Sequence, residues 1–210
     1  MVIENSSLTC TGFAGTRQIA SGDLLQVAFN AQESIHRDSS VQILIFDDVT
    51  SQVIELDLRG TPEELSQRIA KLQDVTAGDS EPAAADEGAR KPGRPKLGVV
   101  AREITLLPRH WDWLATQPGG ASVALRKLVE QAKRANQGKD RLRAAQEAAY
   151  RFMSAMAGNE PGFEEASRAL FAGDQARFET LVEPWPIDVG NHAKKLAGRA
   201  FNCIASETKA

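Results

Sequence analysis

Apolar and polar positions follow two different periods along this chain, and the change of period divides it. Residues 8–75 mix both. LTCTGFA and RQIAS flank Gly15-Thr16 and read as the arms of a hairpin, because a two-residue turn containing glycine suits that connection. Ser21-Gly22-Asp23 then offers an N-cap, and Leu24, Val27, Ala28 and Ala31 recur on one helical face. VQILIFDD and QVIELDLRG predict a second strand pair across Val49-Thr50-Ser51, with Ile43, Ile45 and Val53 as β-branched strand residues. Thr61 caps a second helix, with Pro62 at its first position and Glu63 and Glu64 in its first turn. Leu65, Ile69 and Leu72 give that helix an apolar face. The expected order is hairpin, helix, hairpin, helix.

From residue 138 onward the pattern is helical throughout. Leu142, Ala145, Ala149, Phe152, Met153 and Met156 share one face, and Gly158 ends that helix. Pro161 starts the next, Gly173 stops it, and Asp174 caps a third. Pro186 opens the last, where Val189, Ala193, Leu196, Ala197, Ala200 and Ile204 keep the helical period. Trp185 lies between two prolines and reads as a core anchor or a pocket wall. The expected fold class is α+β. Residues 1–75 form a small β-hairpin/helix domain, 76–101 a flexible linker, 102–137 a separate strand-helix-helix segment, and 138–210 a C-terminal helical bundle.

Charge sharpens this division. Residues 90–143 carry thirteen Lys or Arg against four Asp or Glu, a net of +9, while the whole chain is −3. Residues 76–89 hold four acids and no base. A basic block inside an acidic protein is the electrostatic footprint of a polyanion-binding element.

Within the block, Arg90, Lys91, Gly93, Arg94, Pro95 and Lys96 resemble an AT-hook, an extended segment that lies in the A·T-rich minor groove. Proline keeps such a backbone extended, glycine permits close approach, and the narrow groove concentrates the potential that attracts arginine. Two departures stand out: Pro92 precedes the glycine, and Lys96 replaces the usual second arginine. The alternative is a basic linker that happens to contain Gly-Arg-Pro.

Arg102 to Arg134 reads strand, helix, tight turn, helix, with Pro108 opening the first helix and Pro118-Gly119-Gly120 breaking it. Ser122 offers a cap for the second, in which Leu125, Leu128, Val129 and Ala132 share a face. The order resembles the ribbon–helix–helix fold, in which two chains pair strands into a ribbon that enters the major groove. That resemblance implies a homodimer, with Arg102, Thr105, Ser122, Arg126 and Lys127 meeting double-stranded DNA at bases or phosphates. Glu103 on the same strand, and the bulk of Trp111 and Trp113, depart from the pattern. The alternative is an ordinary helical hairpin.

Across its length the chain resembles a bacterial domain-of-unknown-function family, number 2239. The likeness is carried by FDDVTSQVIELDLRGTPEE, GRPKLGVVAREITLLPRHWDWLATQPGGASVALRKLVE and RAAQEAAYRFMSAMAGNEPGFEEASRALFAGDQARFETLVEPWP. It implies a bacterial cytoplasmic protein and brings no established activity.

Other chemistry is sparse. No Walker-type loop, GxSxG, HExxH or paired CxxC is present, and His36, His110 and His192 fall in different segments. Asp47, Asp48 and Asp57 could gather round a cation, although no standard ligand spacing joins them. Cys10 and Cys203 have neither metal nor disulfide spacing. No apolar run reaches the roughly 20 residues of a membrane helix, and MVIENSSLTC lacks the features of a signal peptide. The expectation is a cytoplasmic, nucleoid-located DNA-binding regulator without enzymatic activity, metal or cofactor, preferring A·T-rich duplex. The competing reading is a module that docks an acidic protein.

Overall fold

A computed structural model describes residues 8–78 and 102–207. The chain divides into two compact units, one formed by Met1–Thr76 together with Gly138–Ala210, the other by Ala77–Gln137.

The first unit begins with the expected hairpin, β1 (Thr9–Ala14) and β2 (Arg17–Asp23), closed by a two-residue turn with Gly15 at φ 58°. Helix α1 (Leu24–Arg37) follows at once, because the Asp23 carboxylate accepts from the Leu25 N–H at 2.8 Å and caps its first turn. Strand β3 (Ile43–Asp47) returns beside β1, giving an antiparallel sheet of order β2-β1-β3. Helix α2 (Pro62–Gly78) opens on a capping box. The Glu64 N–H donates to Thr61 Oγ1 at 3.3 Å, and the Thr61 N–H donates to Glu64 Oε2 at 3.0 Å.

The predicted second hairpin is reduced. QVIELDLRG meets β3 only at the Phe46–Val53 bridge, with the Ile54 N–H donating to the Ile45 carbonyl at 2.7 Å. Beyond Ile54 the segment leaves the sheet. Gln32 on α1, 5% exposed, draws it away by donating Nε2 to the Leu58 and Gly60 carbonyls at 3.0 and 2.8 Å.

Strands β1 and β3 are buried on both faces, whereas β2 has no fully buried residue. Cys10 and Ile45 join Leu24, Val27, Ala28, Ala31, Leu65 and Ile69 in one core. Phe13 and Phe46 join the second, which belongs to the helices α4 (Gly120–Ala157), α5 (Phe163–Ala172), α6 (Gln175–Val182) and α7 (Ile187–Glu207). Phe152 lies 5.4 Å from the Phe13 ring and 5.1 Å from the Phe46 ring. The N-terminal sheet and the C-terminal helices therefore share a core, where the sequence suggests two domains. Period-two alternation fixes which strand residues share a face, but it does not reveal that both faces are covered. The expected signals shape the bundle: Gly173 ends α5 at φ 75°, and Asp174 caps α6 by accepting from the Arg177 N–H at 3.1 Å. Trp185 is a core anchor, 4% exposed, with Nε1 donating to the Pro161 carbonyl at 2.9 Å.

The second unit contains α3 (Pro108–Ala115) and the N-terminal part of α4. Gly119 and Gly120, at φ 89° and 77°, make the turn between them. The sequence suggests separate helices either side of residue 138, yet α4 runs unbroken for 38 residues. Gly138 is the only weak helix former between Lys133 and Ala149 apart from Asn136 and Asp140, and one glycine costs only about 1 kcal/mol.

Candidate nucleic-acid interface

The N-terminal half of α4 carries a basic surface. Arg126, Lys127, Lys133 and Arg134 are all exposed. At 100° per residue, Arg126 and Lys133 fall on one line and Lys127 and Arg134 on a second about 100° away. Each pair is seven residues apart, about 10 Å along the axis. Arg126, Lys127 and Arg134 border one shallow depression together with Glu130 and Gln131. Among the described residues no ion pair engages any of the four basic side chains. Glu130 lies among them and moderates their charge. Glu130 falls between the two lines on a helical wheel, a placement that a charge count alone does not give.

Ser122 lies inside the first turn of α4 rather than at its cap, because the helix already starts at Gly120. Its carbonyl accepts from Arg126 Nε at 3.1 Å, which lays the arginine stem along the helix. Arg102 and Thr105 are exposed on a stretch, 102–107, that is neither helix nor strand within the single chain. Leu107 has extended dihedrals, φ −67° and ψ 148°, and Pro108 starts α3 directly after it. The hook-like residues Arg90, Lys91, Gly93, Arg94, Pro95 and Lys96 lie outside the described residues.

This unit is also unusually apolar outside. Its described part buries Leu114 and Ala124, at 2% and 8% exposure. Ile104, Leu107, Trp111, Trp113, Leu128 and Val129 are exposed, Val129 at 61%. Leu128 and Val129 belong to the face that helical periodicity marks as apolar.

The first unit holds a separate polar cluster between the sheet and α7. Thr11, fully buried, donates Oγ1 to Asp48 Oδ1 at 2.6 Å and lies 3.0 Å from Ser21 Oγ, and Arg199 donates to the Asp48 carbonyl. His192, 4% exposed, packs on the rings of Phe13 and Phe152. Burial, with Lys195 and Arg199 adding repulsion against a weaker pull from Asp48, pushes its pKa down to about 4. The Cys10 thiol is pushed up to about 12 by burial and by Asp48, Asp23 and Asp47, so it is no nucleophile at neutral pH. The three aspartates considered for a cation are turned to separate tasks. Asp47 Oδ1 accepts from the Val49 and Thr50 N–H groups and the Thr50 hydroxyl, Asp48 holds Thr11, and Asp57 pairs with Arg59 and Arg68. No group of three metal-ligating side chains gathers among the described residues.

With these features in place, the comparisons define the class. A family model described as "Uncharacterized protein conserved in bacteria (DUF2239)" matches residues 9–197. The chain belongs to that family. Neither the curated proteins nor the solved structures compared with it gave a match. No described helix is long and apolar enough to cross a membrane.

Proposed function

We propose that this protein binds double-stranded DNA as a transcriptional regulator or nucleoid-associated factor. The observation that supports the reading best is the set of four exposed basic side chains in the N-terminal half of α4, none of them in an ion pair among the described residues. They follow the α3–Gly119-Gly120–α4 hairpin inside a block of net charge +9. Arg126, Lys127, Lys133 and Arg134 meet phosphates. Arg102, Thr105 and Ser122 lie on the segment that would approach the bases or the backbone in a dimeric ribbon. The Gly93-Arg94-Pro95 segment, with Arg90, Lys91 and Lys96, adds a minor-groove contact that favours A·T-rich sequence. The exposed apolar residues of the same unit support a homodimer, since a strand used as a ribbon needs a partner strand. Those same exposed side chains favour, as second reading, a module that docks an acidic protein.

Fluorescence anisotropy with A·T-rich and G·C-rich duplexes at several salt concentrations tests this. Each phosphate contact contributes roughly −0.9 to the slope of log K against log[salt]. Changing Arg126 and Lys127 together to Ala is expected to flatten that slope by about 2. Arg94→Ala is expected to remove the A·T preference. Absence of binding to either duplex at low salt would sink the DNA reading and leave the protein-docking one.

A further inference from the structure

The departure of residues 54–60 from the sheet opens a cleft of about 490 Å³ between α1, the start of β3 and the diverging segment. Its walls are apolar and half-buried: Ile35, Val41, Ile43, Leu56 and Leu58. Leu56 and Leu58 are half-buried in the extended segment and Asp57 between them is exposed, while Arg59 follows at the mouth of the cleft. The cleft is built rather than incidental. Gln32, which lines it, is 5% exposed and spends both amide N–H groups on the Leu58 and Gly60 carbonyls. These bonds hold the segment against α1 and stop it from closing onto β3. On β3, Ile45 and Asp47 direct their backbone groups toward residues 52–54, so alternation turns those of Ile43 to the same open edge.

Arg59 stands on the rim. Arg59 and Arg68 both bind the one carboxylate of Asp57, at 2.9 and 3.1 Å, and Arg68 also donates to the Arg59 carbonyl. The Glu64 carboxylate also lies against Gly60 with Arg68 Nη2 close by, so two carboxylates face the two guanidinium groups. Arg59 uses Nε and Nη2 on Asp57, which leaves its Nη1 donors for another acceptor. His36 stands on the same rim. Ligand pockets occupy roughly 300–1,000 Å³ and combine an apolar lining with a few polar groups that fix orientation. We propose that this cleft binds a small amphipathic carboxylate, its apolar body against Ile35, Ile43, Leu56 and Leu58 and its carboxylate beside Arg59. The site lies wholly in the first unit and does not rest on the nucleic-acid reading.

The test uses the full chain with 13C-labelled isoleucine methyl groups, titrated separately with acetate, hexanoate, octanoate and 1-hexanol. Saturable shifts of the Ile35 and Ile43 methyls are expected with hexanoate, and octanoate should bind more tightly, by up to about fourfold per added buried methylene. Arg59→Ala should weaken hexanoate by up to about fivefold and leave 1-hexanol unchanged, the loss expected for a solvent-exposed charge pair. Arg59 is a surface side chain, 91% exposed, so this variant is expected to fold. Arg59→Lys should restore part of the affinity. The proposal is overturned if hexanoate produces no saturable shift at Ile35 and Ile43, if 1-hexanol binds as well as hexanoate, or if Arg59→Ala leaves hexanoate binding unchanged. Because the readout is local to the cleft, its failure leaves the DNA titration unaffected, and the converse also holds.

Discussion

His192 is where burial acts most directly on a titrating group. Its ring centroid lies 4.5 Å from that of Phe152 and 5.5 Å from that of Phe13, and the protonated ring would sit near Lys195 and Arg199. The folded pKa, about 4, lies below the ordinary 6.5, so the unfolded chain binds this proton more readily. Stability from the neutral ring is therefore complete above pH 6.5 and is lost as pH falls from 6.5 to 4. The loss is on the order of 3 kcal/mol. Urea unfolding across this window should fall less steeply in His192→Gln than in the parent, and parallel slopes would refute the assignment. Gly12 makes a different demand on the same strand. A Cβ there would meet Val27 Cγ1 at 2.8 Å, so strand and helix are in contact through the missing side chain. Gly12→Ala is expected to lower stability by about 1–3 kcal/mol through overpacking, read as a drop in the urea midpoint.

At the scale of elements, local signals were legible and distant choices were not. Asp23, Thr61, Gly173 and Asp174 begin or end their helices as their chemistry predicts, because a cap or stop depends on neighbours within one turn. The second hairpin is shorter than its alternation predicts. Its alternation is real, with Leu56 and Leu58 half-buried, but whether an extended segment pairs with β3 depends on Gln32, more than twenty residues away. A helix end near residue 138 does not form, since glycine alone does not stop a helix that continues through LRAAQEAA, although the two units do divide between Gln137 and Gly138. Gly138→Pro distinguishes the two descriptions. In a continuous α4 it removes an interior hydrogen bond and is expected to cost about 3 kcal/mol, with lost helical ellipticity. A turn at 138 would accept the proline with little change in either measurement.

At the scale of the whole molecule, charge and apolar surface are distributed in ways that a composition average conceals. The basic stripe was visible as a run of lysines and arginines, and the helical period placed it on α4. The exposed apolar set was not visible, because periodicity marks Leu128 and Val129 as inward without saying what covers them. Among the described residues of the second unit, six exposed large hydrophobics stand against two buried apolar residues, an inversion of the usual order. Together they expose on the order of 600 Å² of side chain, close to the roughly 800 Å² each partner buries in a standard interface. A homodimer through this surface predicts a concentration-dependent mass in sedimentation equilibrium. Val129, 61% exposed on α4, is the most open of the six, so Val129→Glu should leave the monomer folded. A buried carboxylate at such an interface costs several kcal/mol, so the dissociation constant should rise at least about a hundredfold. If DNA binding requires the dimer, the same variant weakens duplex binding while keeping all four basic residues of α4. A monomeric parent at high concentration would separate the charge from the apolar face, and the exposed tryptophans would then belong to the surface that meets a different protein.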